Sequence, residues 1–134
     1  MTVPPPVVLP EVWVMYVESA TGLAGAEDAF DRLEARFPSL RGRKFYGTFQ
    51  RPAGPYRACV AIEPADDPTA LGLPTWTIPG GKYSRRKLPD WESRIPEIGT
   101  SFRQMAEECE PDAGRPSIEF YRSQKELLLF LPVR

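Results

Sequence analysis

The sequence predicts an α+β fold built from two β-α-β-β repeats, and three observations carry that expectation. Two stretches place apolar residues at helical spacing; each is preceded by one run of β-formers and followed by two; and a Pro/Asp/Gly-rich segment without any period divides them at mid-chain. A chain of 134 residues is long enough for one domain around one core. Antiparallel sheets, one long helix per repeat, pseudo-twofold symmetry and a central ligand cavity follow from that plan. Repeat one is expected at about 11–64, the linker at about 65–74 and repeat two at about 75–134.

The first element is a strand over 12–19, where Val12, Trp13, Val14, Tyr16 and Val17 are all β-formers. Residues 1–10 are Pro-rich and expected to carry no element. After Gly22 and Gly25, the residues Ala26, Phe30, Leu33 and Phe37 recur at helical spacing, acidic residues fill the other face, and Pro38 stops the helix. Residues 44–50 (KFYGTFQ) and 56–63 (YRACVAIE) read as strands joined by the turn RPAGP. The segment PADDPTALGLP is expected to be a loop.

The second half repeats the order. Strand material in TWTI and GKYSRRKL surrounds a bulge or kink at Pro79, Gly80 and Gly81. Ile95, Ile98, Phe102, Met105 and Cys109 then mark one face of a helix, with Pro96 in its first turn. Residues 117–122 (SIEFYR) and 126–133 (ELLLFLPV) are the last two strands.

Composition excludes several classes of chemistry. Seventeen basic against eighteen acidic residues leave a net charge of −1, so no field steers the chain toward nucleic acid or an anionic membrane. No apolar run approaches the roughly 20 residues of a spanning helix, and MTVPPPVVLP has neither a basic nor a sustained apolar leader region, so a cytoplasmic protein is expected. Histidine is absent, which removes Ser-His-Asp and Cys-His catalysis and His-ligated metals. Cys59 and Cys109 match no metal spacing and form no disulfide framework. Neither metal nor cofactor is expected, and Cys59, with no base to activate it, reads as an inert buried thiol.

The strings PYRACVAIEP, IPGGKY, PSIEFY and LLLFLPV, in this order of elements, make roughly residues 11–134 resemble the GyrI-like small-molecule-binding domain. That domain also serves as the effector-binding part of AraC- and MerR-type multidrug regulators. The two repeats leave no residues for a DNA-binding segment, so a stand-alone module is expected. ESATGLAG departs from the family's Gly-Pro-aromatic turn in the first repeat. The resemblance implies binding of hydrophobic, often cationic, aromatic small molecules in an aromatic cavity around a buried glutamate, while the balanced charge implies no nucleic acid and no membrane as partner. Glu119 matches that glutamate, and KLPDW matches the second-repeat turn, which places Trp91 against ligand.

Strand alternation puts Ser117, Glu119 and Tyr121 on one face and Ile118 and Phe120 on the other. With Leu127, Leu129 and Leu131 packed under helices, Phe130 becomes a wall of the groove that Glu119 enters if Ile118 faces the helices. Repeat symmetry sets Gly47 opposite Glu119 with Phe45 and Phe49 flanking; a register one residue off would substitute Tyr46. The expected ligand-binding set is thus Glu119, Tyr121, Trp91, Phe130, Phe45, Tyr46, Phe49 and Phe102.

Each of these residues has a plainer reading. Any one aromatic is accounted for by core packing. Glu119 is accounted for by an exposed ion pair with Arg57, Arg115 or Arg122, and Lys82, Arg85, Arg86 and Lys87 by a solvated edge strand rather than phosphate contacts. Two other functions compete with ligand binding. One is a metal-free hydrolase of strained electrophiles, with Glu119 as general base and Tyr121 or Tyr46 as hydrogen-bond donor. The other is a protein-binding inhibitor of DNA topoisomerase, as some similar domains are.

Overall fold

The computed structural model describes residues 5–51 and 53–134. Part of the expected Pro-rich start, residues 1–4, and Pro52 of the expected turn lie outside them. Eight strands form one sheet: β1 (Val7–Leu9), β2 (Val12–Glu18), β3 (Phe45–Phe49), β4 (Tyr56–Ala61), β5 (Thr75–Ile78), β6 (Gly81–Pro89), β7 (Ser117–Tyr121) and β8 (Glu126–Pro132). Their order is β1-β6-β8-β7-β3-β4-β2-β5, and every neighbouring pair is antiparallel. Three helices accompany them: α1 (Ala26–Glu34), the four-residue α2 (Pro68–Leu71) and α3 (Pro96–Glu108). None of the described helices is long and apolar enough to cross a membrane.

Two short elements were not expected. Val7, Val8 and Leu9 form β1 against β6, because a run of β-formers bounded by prolines still pairs where a neighbouring strand offers free backbone groups. The mid-chain loop contains α2, which has its own start and stop signals. The Asp67 carboxylate accepts from the Ala70 N–H at 3.3 Å, Pro68 opens the first turn, and Gly72 takes the left-handed conformation at the end. That loop is tied to the first repeat by Arg43, whose guanidinium donates to both oxygens of Asp66 at 2.7 and 2.8 Å.

The sheet is forced to curl. Only Pro10 and Glu11 separate β1 from β2, a span of about 10 Å, yet a flat sheet at about 4.8 Å per strand would hold these strands roughly 29 Å apart. The link between β5 and β6 through Pro79 and Gly80 imposes the same closure. The enclosed face collects Val14, Cys59, Ile78, Tyr83, Ile118, Leu128 and Phe130 into one core. The outer face carries the helices: α1 packs on β2 and β4 over Met15, Ala58 and Val60, and α3 packs on β6 and β8 over Leu88, Leu127, Leu129 and Leu131. Strands β7 and β3 lie between the parts of the sheet that α1 and α3 cover.

Where the two kinked connections cross, backbone meets backbone. A Cβ at Gly80 would stand 2.7 Å from both the Leu9 carbonyl oxygen and the Glu11 nitrogen, neither of which yields as a flexible side chain would. Gly80→Ala is expected to destabilise the fold by about 1–3 kcal/mol, read as a lower urea midpoint with an unchanged slope.

Candidate functional site

Glu119 sits in a row of cross-strand neighbours on the helix-bearing face: Val17, Ala58, Gly47, Glu119, Leu129 and Arg86. Directly opposed residues of an antiparallel pair point to the same side. Because Leu129 packs under α3, Glu119 shares its face, and Ile118 and Phe130 point into the enclosed core. Leu127, Leu129 and Leu131 pack under a helix as expected, but Ile118 does not face the helices, so Phe130 is not a wall beside Glu119. Tyr46 likewise points away, stacked on Phe120 with ring centroids 4.9 Å apart.

Gly47 stands opposite Glu119, with Phe45 and Phe49 on either side of it along the same face. The glycine creates the space in which the site forms. A Cβ there would collide with the Tyr56 hydroxyl and with Glu119 Oε1. Tyr56 on β4 and Tyr121 on β7 approach from opposite sides of the row, and both hydroxyls donate to Oε1 at 2.7 Å. Among the described residues no protein donor reaches Oε2.

Glu119 is only 8 % exposed, yet no basic side chain among the described residues pairs with it. Each arginine the sequence offered is engaged elsewhere. Arg57 donates to Glu18 at 3.1 Å and lies 4.6 Å from the centres of the Tyr16 and Trp76 rings. Arg115 donates to Asp112 at 3.2 Å and to the Val133 carbonyl at 2.8 Å, and Arg122 to Glu126 at 3.1 Å. The basic cluster on β6 is also partly engaged, since Arg86 donates to Gln104 and Glu108 of α3 and Lys87 pairs with Glu126.

Burial raises the Glu119 carboxyl above its ordinary value, and the two tyrosine hydrogen bonds offset part of that rise by favouring the charged form. Burial, together with the adjacent carboxylate, pushes both Tyr56 and Tyr121 well above the usual phenol range, so both remain donors. Two more rings complete the cluster. Phe30 of α1 meets Tyr56 edge-on at 6.3 Å and Tyr121 at 5.2 Å, and Trp91, from the 3-10 turn before α3, meets Tyr121 at 5.0 Å. The Trp91 indole N–H donates to the Ser123 carbonyl at 3.0 Å. Phe30 and Trp91 thus pack edge-on against the tyrosines that hold Glu119. A separate cleft of about 350 Å³ lies away from Glu119, beside Tyr16, Glu18, Arg32, Arg36 and Leu73.

Glu119, Tyr121, Trp91, Phe45 and Phe49 therefore gather on one face, whereas Phe102 packs with Met105 in the core beneath α3. Tyr56 and Phe30 complete the cluster without having been expected from the sequence. The signal for Tyr56 was the glycine in mid-strand, which marks a close approach by something from a neighbouring strand. Cys59 points into the enclosed core with Phe130, and burial drives its thiol up to about 12.

No protein-family model and no curated protein matches the chain. Solved structures do share its fold. An integron cassette protein from the mobile metagenome of Vibrio cholerae is 16% identical over 96% of this chain and 93% of its own, with a TM-score of 0.66. SAV2435, solved bound to tetraphenylphosphonium, is 12% identical over 96% and 92%, with a TM-score of 0.60. A hydrolase from Listeria innocua is 14% identical over 96% and 90%, with a TM-score of 0.58.

The raised carboxyl makes stability pH-dependent, with a definite sign. A carboxyl whose folded value exceeds its unfolded one holds its proton more tightly when folded, so its stabilising contribution is full at low pH and falls as pH rises through the folded value. Glu119→Gln keeps the shape and the acceptor for both tyrosines without titrating. Relative to wild type, this variant is expected to gain stability as pH rises from the ordinary 4.5 through the raised value, measured by urea melts at one-unit steps. A pH-independent difference would place the carboxyl at its ordinary value.

Proposed function

We propose that this protein binds hydrophobic, cationic aromatic small molecules in the groove between α1 and α3, with Glu119 as the electrostatic anchor. On this reading it is a GyrI-like ligand-binding domain that senses or sequesters xenobiotics in the cytoplasm. The strand order supports its two-repeat plan: β2, β4 and β3 run outward-to-centre as β6, β8 and β7 do, and β5 caps β2 as β1 caps β6. The observation that carries the proposal is a buried carboxylate, surrounded by aromatic rings, to which the described residues supply hydroxyls but no cation. An ionised group in a low-dielectric, π-faced setting attracts a delocalised cation, whose charge the ring faces also favour. The ligand would part the rings of Phe30 and Trp91 and lie along Phe45, Phe49 and Tyr121.

The neighbour bound to tetraphenylphosphonium is compatible with this ligand class. Glutamate-dependent hydrolysis is the second reading, favoured by the raised Glu119 carboxyl with an oxygen that no donor among the described residues reaches.

Fluorescence titration with tetraphenylphosphonium and with neutral triphenylphosphine oxide separates the charge contribution from shape. Glu119→Gln is expected to weaken the phosphonium by about tenfold or more and the oxide little. Equal losses would remove the anchor role. Styrene oxide incubated with the protein is expected to be recovered unchanged by mass spectrometry, and a diol whose formation Glu119→Gln abolishes would establish the hydrolase instead.

A further inference from the structure

Resting on that reading of the groove, the geometry points to a narrower ligand class: we infer that the site selects aromatic cations carrying N–H donors, protonated amines and amidines, over onium ions whose charge is enclosed in carbon. The inference comes from counting protons at Glu119. A phenol has one O–H, and both Tyr56 and Tyr121 spend theirs on the same oxygen, Oε1. What remains for a ligand is Oε2 of the ionised carboxylate, without a protein donor among the described residues, and the lone pairs of the two phenolic oxygens. These are all acceptors. The nearest basic residue in the same cross-strand row, Arg86, is turned to Gln104 and Glu108 and supplies no donor here.

A quaternary ammonium or phosphonium satisfies the charge of such a site but none of its acceptors, and it displaces the water that would otherwise do so. Leaving a buried acceptor unmet costs more than the net worth of an ordinary hydrogen bond. An ammonium group brings up to three donors and no acceptor, which complements this arrangement. A neutral carbonyl compound brings only further acceptors.

The test is a matched pair of fluorescent probes, 1-pyrenemethylamine and its N,N,N-trimethylammonium derivative, titrated at pH 7 into wild-type protein and Glu119→Gln. Both probes carry one positive charge and the same ring system. The amine is expected to bind wild type at least about tenfold more tightly, as one charge-assisted hydrogen bond allows. In Glu119→Gln, where the amide places a donor in place of Oε2, the preference is expected to collapse to near unity. Equal affinities in wild type, or tighter binding of the trimethylammonium probe, would overturn the inference while leaving cation binding in place. A preference that survives in Glu119→Gln would move the N–H recognition away from Oε2 and likewise overturn it. Failure of both probes to bind wild type would overturn the inference and the proposed function together. The wild-type comparison decides even if the variant does not fold.

Discussion

The arrangement on which the rest of the molecule depends is a carboxylate buried without a counter-ion among the described residues. Burying an unpaired charge is costly, and here two tyrosine hydroxyls rather than an arginine offset it. That choice propagates outward. Two phenols converge on one oxygen only if the residue opposite Glu119 has no side chain, so β3 must present Gly47 there. Tyr56 reaches across from β4 only if β3, β4 and β7 keep one register. A slip of β7 by one residue would exchange Ile118 and Glu119, turning the carboxylate into the enclosed core beside Phe130 and away from the Tyr56 hydroxyl. One polar contact therefore pins the alignment of the three central strands.

The surrounding charges are arranged consistently with it. The arginines that could have neutralised Glu119 are held by Glu18, Asp112 and Glu126, and Arg57 is further held over the faces of Tyr16 and Trp76. The chain has nearly balanced charge, but the balance is made in local pairs that leave Glu119 without a basic partner among the described residues. A near-zero total is therefore compatible with one concentrated anionic point.

Much of the architecture was legible because it rests on periodicity. The 3.6-residue spacing of Ala26, Phe30 and Leu33, and of Ile98, Phe102 and Met105, marks α1 and α3, and the position of Gly47 opposite Glu119 follows from the order of the elements. The helix-covered side of β8 was legible in Leu127, Leu129 and Leu131, but which side of β7 joins it was not. Alternation separates the two faces of β7 without naming the covered one. The register against Leu129 settles what hydrophobicity cannot. Tyr56 and Phe30 were missed because contacts between rows and between layers have no local signature, and β1 because three residues are too few to show a period.

The crossing of the two kinked connections bears on how the chain acquires this form. Val7 pairs with Tyr83 and Val12 with Ile78, so the edge of each half is sealed by a piece of the other. Neither half can complete its own sheet, and a proteolytic cut in the loop that carries α2 would release two fragments, each with an unsealed edge seeking its counterpart. Such fragments are built for complementation rather than independent life. In the intact chain these pairings join residues far apart in sequence, which slows folding relative to a sheet of local hairpins.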